Sequence, residues 1–322
     1  MKLLKFHTVL IPKLWGGATI ARLKGIDDTS VRIGESFEIS ALAGQETLCS
    51  TEGFAGRTLP QLIEEHGAAL VGEQNFARFG TLFPLLVKFI DAHLPLSVQV
   101  HPDDVLARQL GMPYGKSEMW YIVNAQPEAS LLAGFHEDVN PEQFERLLAD
   151  GTIMDKTNRF TTHTGDAFYI PAGTIHSIGA GNFIVEVQQS SGATYRVYDF
   201  DREDEQGRKR ELHVDLARRA LDFKAGATYF HRVPDEVGKP VPVVQSPYFT
   251  TQKLCLNAPY TLRLADLDSF VIMVCYSGNA TLIDERGNAV ELRTGETLLV
   301  PASMKHVAIT PEKTSSFLMA YI

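Results

Sequence analysis

The chain has 322 residues, 44% of them hydrophobic, enough to bury a full core in one large domain or two of ordinary size. A formal charge of −9, with no run of five or more basic residues, argues against a nucleic-acid surface, so an anionic ligand has to be met by a few local cations. Three scattered cysteines, Cys49, Cys255 and Cys275, offer neither a disulfide framework nor a CxxC motif, and no apolar run is long enough to span a bilayer; the expectation is a protein of the reducing cytoplasm.

The first residues, MKLLKFHTVLIPKLWGG, carry an early lysine, but His7, Pro12 and Lys13 break the apolar run, so a secretory leader is not expected. Trp15, Gly16 and Gly17 read as a packed aromatic on a tight turn. From there the chain is mostly short strands cut by Gly, Pro, Asn and Asp, among them SFEISAL, LSVQV, MWYIV, DAFYIP, NFIVEVQQ, SFVIMVCY and ETLLVP. Many closely spaced strands predict a mainly β sandwich or barrel. Helices are predicted over 58–71 (Thr58 and Pro60 at the start), 140–151 (Asn140 as N-cap, Pro141 at N1, a Gly stop) and 212–223 (amphipathic). The segment 233–247, with four prolines and little periodicity, reads as a linker. It would divide residues 1–232, with their helical decorations, from a smaller C-terminal domain over 248–322.

An internal repeat supports that division. GDAFYIPAGTIH (165–176) and GETLLVPASMKH (295–306) share a skeleton of Gly, acid, four mostly apolar residues, Pro, Ala, a small residue, two more and His. Each reads as turn, strand and second tight turn delivering a histidine, and two barrels of related design 130 residues apart account for it. His306 has no His or Glu at ligand spacing in the strand before it, so the second barrel is expected to be metal-free.

Side chains two apart on a strand share a face, so Ser97, Gln99 and His101 project together while Val98 and Val100 face the other way. Glu118 opens an apolar strand after a Gly-Lys turn, and Pro171 and Gly173 form the tight turn that aims His176. An amide, two imidazoles and a carboxylate make a mixed N/O set that suits zinc, iron or manganese. Asp103 and Asp104, after Pro102, read as turn or N-cap residues. His7, His66, His93, His136, His163, His213 and His231 stand outside any motif and read as surface or packing residues.

The pattern over 165–176 resembles the second motif of the cupin superfamily, with Gln99 where a histidine is usual. FPLLVKFIDA, LSVQVHPDD, GKSEMWYI, IPAGTIHSIGAG and TYRVYDFDR together resemble the type I phosphomannose isomerase family in its shorter bacterial form. PKLWGG and GESFEIS agree, with Phe37 in place of the more usual tryptophan. The resemblance implies two cupin-type jelly-roll β-barrels with a few peripheral helices. It implies one zinc ion per chain on Gln99, His101, Glu118 and His176, and an active-site arginine at Arg196. It places Lys116 in the same pocket; with Ser97, which shares the face of Gln99 and His101, Lys116 and Arg196 are expected to contact a sugar phosphate. The implied reaction interconverts an aldose and a ketose phosphate in a cytoplasmic monomer or homodimer, with no nucleic-acid or membrane partner. Lys116, Asp199 and Asp201 are candidate bases, although the two aspartates read equally well as ion-pair partners of neighbouring arginines. Two other readings of the same residues are an iron-dependent cupin oxygenase using His101, Glu118 and His176 as a facial triad, and a sugar-phosphate-binding cupin without turnover.

Overall fold

The structure is a computed structural model and describes every residue except Thr29, Glu205 and Thr228. Strands dominate it, arranged in four sheets. In the N-terminal half a seven-stranded sheet runs Phe230–Arg232, Asp166–Ile170, Glu118–Ala125, Asn182–Gln189, Leu85–Ala92, Val9–Gly17, Ile33–Ile39. A five-stranded sheet, Tyr195–Tyr198, Val98–Val100, His176–Ile178, Ser130–Phe135, Thr157–Thr161, shares a core with it. Ile90, Trp120, Ile122, Phe168 and Ile184 from the larger sheet meet Leu131, Ala133 and Ile178 from the smaller one there.

The C-terminal half repeats the plan with a second seven-stranded sheet and a four-stranded partner. The two large sheets pack back to back. Period-two alternation explains how: Val87 and Phe89, or Val185 and Val187, point away from the first core and join Ile272, Val274, Leu299 and Leu318 in a shared cluster. Both faces of these strands are therefore buried, which is why LLVKFIDA and NFIVEVQQ are buried at every position.

The repeated motif is structural. Gly165 and Gly295 turn at φ +90° and +82° before the strands Asp166–Ile170 and Glu296–Val300, and His176 and His306 each open the next strand. His306 is half exposed beside Glu285.

Two details bear on the expected division of the chain. The proline-rich segment 233–247 contains the strand Pro240–Gln245, paired with Thr250–Leu256 and bulged between Pro242 and Val244. It lies at the sheet's edge, where a proline forfeits no ladder bond. The N-terminal strand Leu4–His7 leaves its own half and inserts between Glu296–Val300 and Leu48–Cys49 in the C-terminal sheet. The predicted helix over 58–71 is Leu59–His66, closed at its start by a Thr58–Gln61 capping box, and a second turn Ala68–Val71 beyond Gly67 at φ +49°. The other two are Pro141–Ala149 and Val214–Ala220; Asp104–Gln109, Thr19–Leu23 and Glu73–Phe79 are additional.

Leu4 staples the N-terminus to the opposite half of the molecule and is fully buried against that shared cluster. Leu4→Ala is expected to destabilise the protein by about 2–5 kcal/mol. Urea denaturation measures it, and a loss under about 0.5 kcal/mol, the level of an ordinary surface change, contradicts the role given to this strand.

Candidate active site

Three adjacent strands of the five-stranded sheet align the first part of the site. Gln99 on the central strand stands across from His176 on one side and Arg196 on the other. His101 follows at the strand's end, where Pro102 stops the ladder. Glu118 arrives from the opposite sheet, as the first residue of its strand, paired with Ile170 and Gln188. The histidines and the carboxylate thus come from the two walls of one sheet pair.

His101, Glu118 and His176 are each only 1% exposed, and their ligand atoms lie within 4.8 Å of one another. Glu118 Oε2 is 3.4 Å from His101 Nε2, and its Oε1 is 3.3 Å from His176 Nε2. His176 Nδ1 donates to the Thr174 carbonyl at 2.8 Å, which leaves the Nε2 lone pair facing the carboxylate. Neither oxygen of Glu118 receives a well-directed hydrogen bond among the described residues. Lys116 Nζ lies 2.8 Å from Glu118 Oε2 and 2.9 Å from His101 Nε2, so this donor set already gathers a cation. Two unprotonated ring nitrogens and an unsaturated carboxylate fit a divalent metal. Gln99 is next to them, but its Nε2 faces His176 Nε2 at 3.3 Å while its Oε1 accepts from Ser97 Oγ at 3.1 Å. Rotation of the amide by 180° about its last torsion would present the oxygen instead.

Electrostatics agree with that donor set. Burial, then the Lys116 ammonium, push the His101 imidazole down to about 3, and burial lowers His176 as well. Burial works the other way on Glu118, but Lys116 and the two histidines outweigh it and hold the carboxyl well below its ordinary range. The set is two neutral imidazoles and one carboxylate at neutral pH.

The donors open onto a cavity of about 260 Å³ whose lining includes Trp15, Ser97, Gln99, Lys116, Glu118 and Arg196. One wall is a ladder of alternating charge: Lys13 to Glu35 at 2.9 Å, Glu35 to Lys88 at 2.9 Å, Lys88 to Glu186 at 2.6 Å, then Trp120 Nε1 to Glu186 at 2.8 Å. Burial alone would raise Glu35 and lower Lys88; their partners reverse both, so Glu35 falls to about 2 and Lys88 rises. For Glu186, burial and the neighbouring Glu118 prevail and the carboxyl is shifted upward. Sequence reading missed this wall. Its only signal was a charge inside an apolar strand, as in LLVKFIDA and NFIVEVQQ.

The opposite rim carries Arg196 and Arg210. Arg210 and Arg202 both clasp Asp199, and Asp201 is exposed and paired with Lys209 at 2.6 Å. Neither aspartate lines the cavity, so both serve as ion-pair partners. Arg196 donates from one terminal nitrogen to the Glu211 carbonyl at 2.8 Å, and its buried Nε has no partner among the described residues. Trp15 is buried and Gly16 abuts the Ile33–Gly34 backbone, so a packed turn also forms part of the cavity wall. Asp103 is the N-cap of Asp104–Gln109, accepting from Leu106 N–H at 2.7 Å.

A model of the type I phosphomannose isomerase catalytic domain matches residues 3–137. The mannose-6-phosphate isomerase of Streptococcus mutans is 35% identical over 294 residues, covering 91% of this chain and 90% of that one. Mannose-6-phosphate isomerase ManA of Bacillus subtilis is 31% identical over 92% of each chain. Among solved structures, a mannose 6-phosphate isomerase from Bacillus subtilis superposes with a TM-score of 0.89 over the full length of both chains at 29% identity. A phosphomannose isomerase from Salmonella typhimurium, 16% identical, shares the fold at a TM-score of 0.79 over 99% of each. With its buried His-Glu-His group beside a polar cavity, the chain belongs to the type I phosphomannose isomerase family.

Proposed function

We propose that this chain interconverts mannose 6-phosphate and fructose 6-phosphate through an enediol, with one zinc ion held by His101, Glu118 and His176 and with Gln99 as fourth ligand. The observation that carries the reading is a division of labour in the cavity. Of the five cationic side chains that line it, Lys13, Lys88, Lys116 and Arg210 each have an acidic partner; Arg196 has none among the described residues. The cavity therefore holds metal donors together with a guanidinium, on the strand next to Gln99, that has no acidic partner among the described residues and can meet an anion.

When bound, the ion supplies Lewis-acid stabilisation of negative charge developing on the sugar oxygens. Arg196 directs its free Nε–H at a substrate oxyanion. Lys116 handles the proton that moves between the two carbons, because its nitrogen lies at the boundary between the ligand set and the cavity. Ser97 holds Gln99 Oε1 and contacts the sugar beside it. Glu35, Lys88 and Glu186 present fixed donors and acceptors to hydroxyls along the wall, their charges already neutralised by one another. Burial of His101, Lys116, Glu118 and His176 limits bulk water at the metal donors.

The proposal includes a metal-binding domain over 1–232, joined through 233–247 to a metal-free domain over 248–322, with Leu4–His7 lent to the second sheet. It also places the enzyme in the cytoplasm as a monomer or homodimer; among the described residues no helix is long and apolar enough to cross a membrane.

Metal analysis is expected to find one zinc per chain. Chelation should abolish fructose 6-phosphate turnover in a coupled assay and zinc should restore it, in air or under strict anaerobiosis. Full activity after complete chelation overturns the reading. His101→Ala is expected to lose about 100-fold or more in kcat, since a ligand and its charge balance go together. Arg196→Lys should lower kcat/KM about tenfold or more, because a point charge replaces a directional fork.

Removing the metal leaves two depressed imidazoles in the core. The unfolded chain binds their protons near pH 6.5, whereas folded His101 does so only near pH 3. Between those values the unfolded state carries more protons, so stability falls as pH falls. Denaturation midpoints of chelated protein should drop from pH 6.5 toward 3, and more shallowly in His101→Asn. Equal slopes contradict a neutral buried His101.

A further inference from the structure

Three ligand-bearing segments converge on the site, and the link that fastens them lies outside the cavity. Among the described residues, those just before Glu118 form no hydrogen-bonded turn of their own. Instead three consecutive backbone N–H groups reach two other segments: Gly115 donates to Asp104 Oδ1 at 2.8 Å and Lys116 to the Pro102 carbonyl at 2.9 Å, both in 102–104, and Ser117 donates to Gln189 Oε1 at 2.9 Å. Gln189 completes the connection by donating its Nε2 to the same Asp104 Oδ1 at 2.9 Å. The third ligand segment is tied in from its far side, with Ala172 N–H on Ser117 Oγ at 3.1 Å and Gly173 N–H on the His101 carbonyl at 2.9 Å.

Asp104 is not needed to start its helix, because Asp103 caps it. Nor does Asp104 line the sugar cavity; it borders a separate one of about 180 Å³ with Arg108, Tyr114, Gln189 and Tyr248. Its Oδ1 receives both bonds, and Oδ2 receives none among the described residues. Gly115 must also be glycine for the link to close: a Cβ there would stand 2.5 Å from the Asp103 carbonyl carbon and 2.6 Å from Asp104 N.

We propose that Asp104, through Gln189, is a positioning residue that fixes the 115–117 backbone and hence the placement of Lys116 and Glu118 relative to His101. The proposal rests on the isomerase reading of the site. It acts as partners behind metal ligands do, by limiting how the ligands can move rather than by touching the reacting atoms.

The test compares Asp104→Ala, which removes the acceptor, with Asp104→Asn, which keeps Oδ1. Asp104→Ala should lower kcat about 10- to 100-fold with KM changed less than about threefold, and weaken zinc affinity by a similar factor in competition with a chromophoric chelator. Amide exchange in a peptide spanning 115–117 should speed up. Asp104→Asn should stay within about threefold of the parent in kcat and zinc affinity, with unchanged exchange, because two neutral hydrogen bonds retain most of the geometry. Gln189→Leu, which cuts the second link and serves if Asp104→Ala does not fold, should reproduce the defect. The double variant should be less damaged than the product of the two single effects, because the Asp104–Gln189 bond is lost in each of them. Parental kcat and zinc affinity in Asp104→Ala overturn the proposal, as does an Asp104→Asn variant as damaged as Asp104→Ala. A parent that binds zinc without isomerising the sugar phosphate overturns the functional reading instead, and the exchange and zinc-affinity comparisons still decide the role of Asp104.

Discussion

The molecule depends on keeping one carboxylate, Glu118, ionised almost out of reach of water. An isolated buried charge of this kind is so costly that it would normally take up a proton. Here the Lys116 ammonium compensates it at 2.8 Å, and the neutral His101 and His176 imidazoles from the opposite sheet stand 3.4 and 3.3 Å from its oxygens, close enough to share a cation with it. The two sheets of the N-terminal half therefore have to meet at a set separation. Trp120 helps to set it: its ring packs edge-on against His176 at 5.4 Å, while its indole N–H is spent on Glu186. A single large side chain thus spaces His176 from one wall and anchors the charged ladder on that wall.

That rigidity draws on the C-terminal half. Strands such as Leu85–Ala92 and Asn182–Gln189 can carry Lys88 and Glu186 on their cavity face because their other face is sealed by the second large sheet. The duplicated turn-strand-turn motif shows how one architecture serves two ends. In the first copy the delivered histidine meets Glu118 across the barrel; in the second, His306 sits half exposed beside Glu285. Apolar residues such as Leu262, Met273, Leu282, Val307 and Phe317 fill the C-terminal sheet pair. One half carries the polar site, and the other supplies apolar surface that braces it.

Much of this was legible in the sequence, and what was not has a common cause. Alternation placed Gln99 and His101 on one face, and the Pro171–Gly173 turn marked His176, because these are local properties of a few residues. The Thr58 and Asn140 helix starts were legible for the same reason. The ladder was not. Lys88 is compensated by Glu35, 53 residues away, and Glu186 lies directly across the sheet from Lys88. Such pairings follow from strand register, which no short window of sequence displays. The strand at 240–245 was hidden because proline marks both linkers and sheet edges, and only the finished sheet displays the edge. The assignment of Asp103 and Asp104 together to a turn was half right for a related reason: capping is local, but reaching Gly115 and Gln189 is not.

The ladder also bears on which ligands the cavity accepts. Lys13, Glu35, Lys88 and Glu186 form alternating pairs, so that wall has little net charge and many fixed donors and acceptors, a surface suited to hydroxyl groups. Phe37 lies under the Lys88 ammonium at 5.5 Å from its ring centre, holding the lysine from its apolar side. A second unpaired cation on that wall would offer an anion an alternative contact there. Pairing every lysine on the wall removes that alternative and leaves Arg196 as the cavity cation without an acidic partner among the described residues. The buried ion pairs, whatever they contribute to stability, leave that wall polar but without an unpaired cation among the described residues.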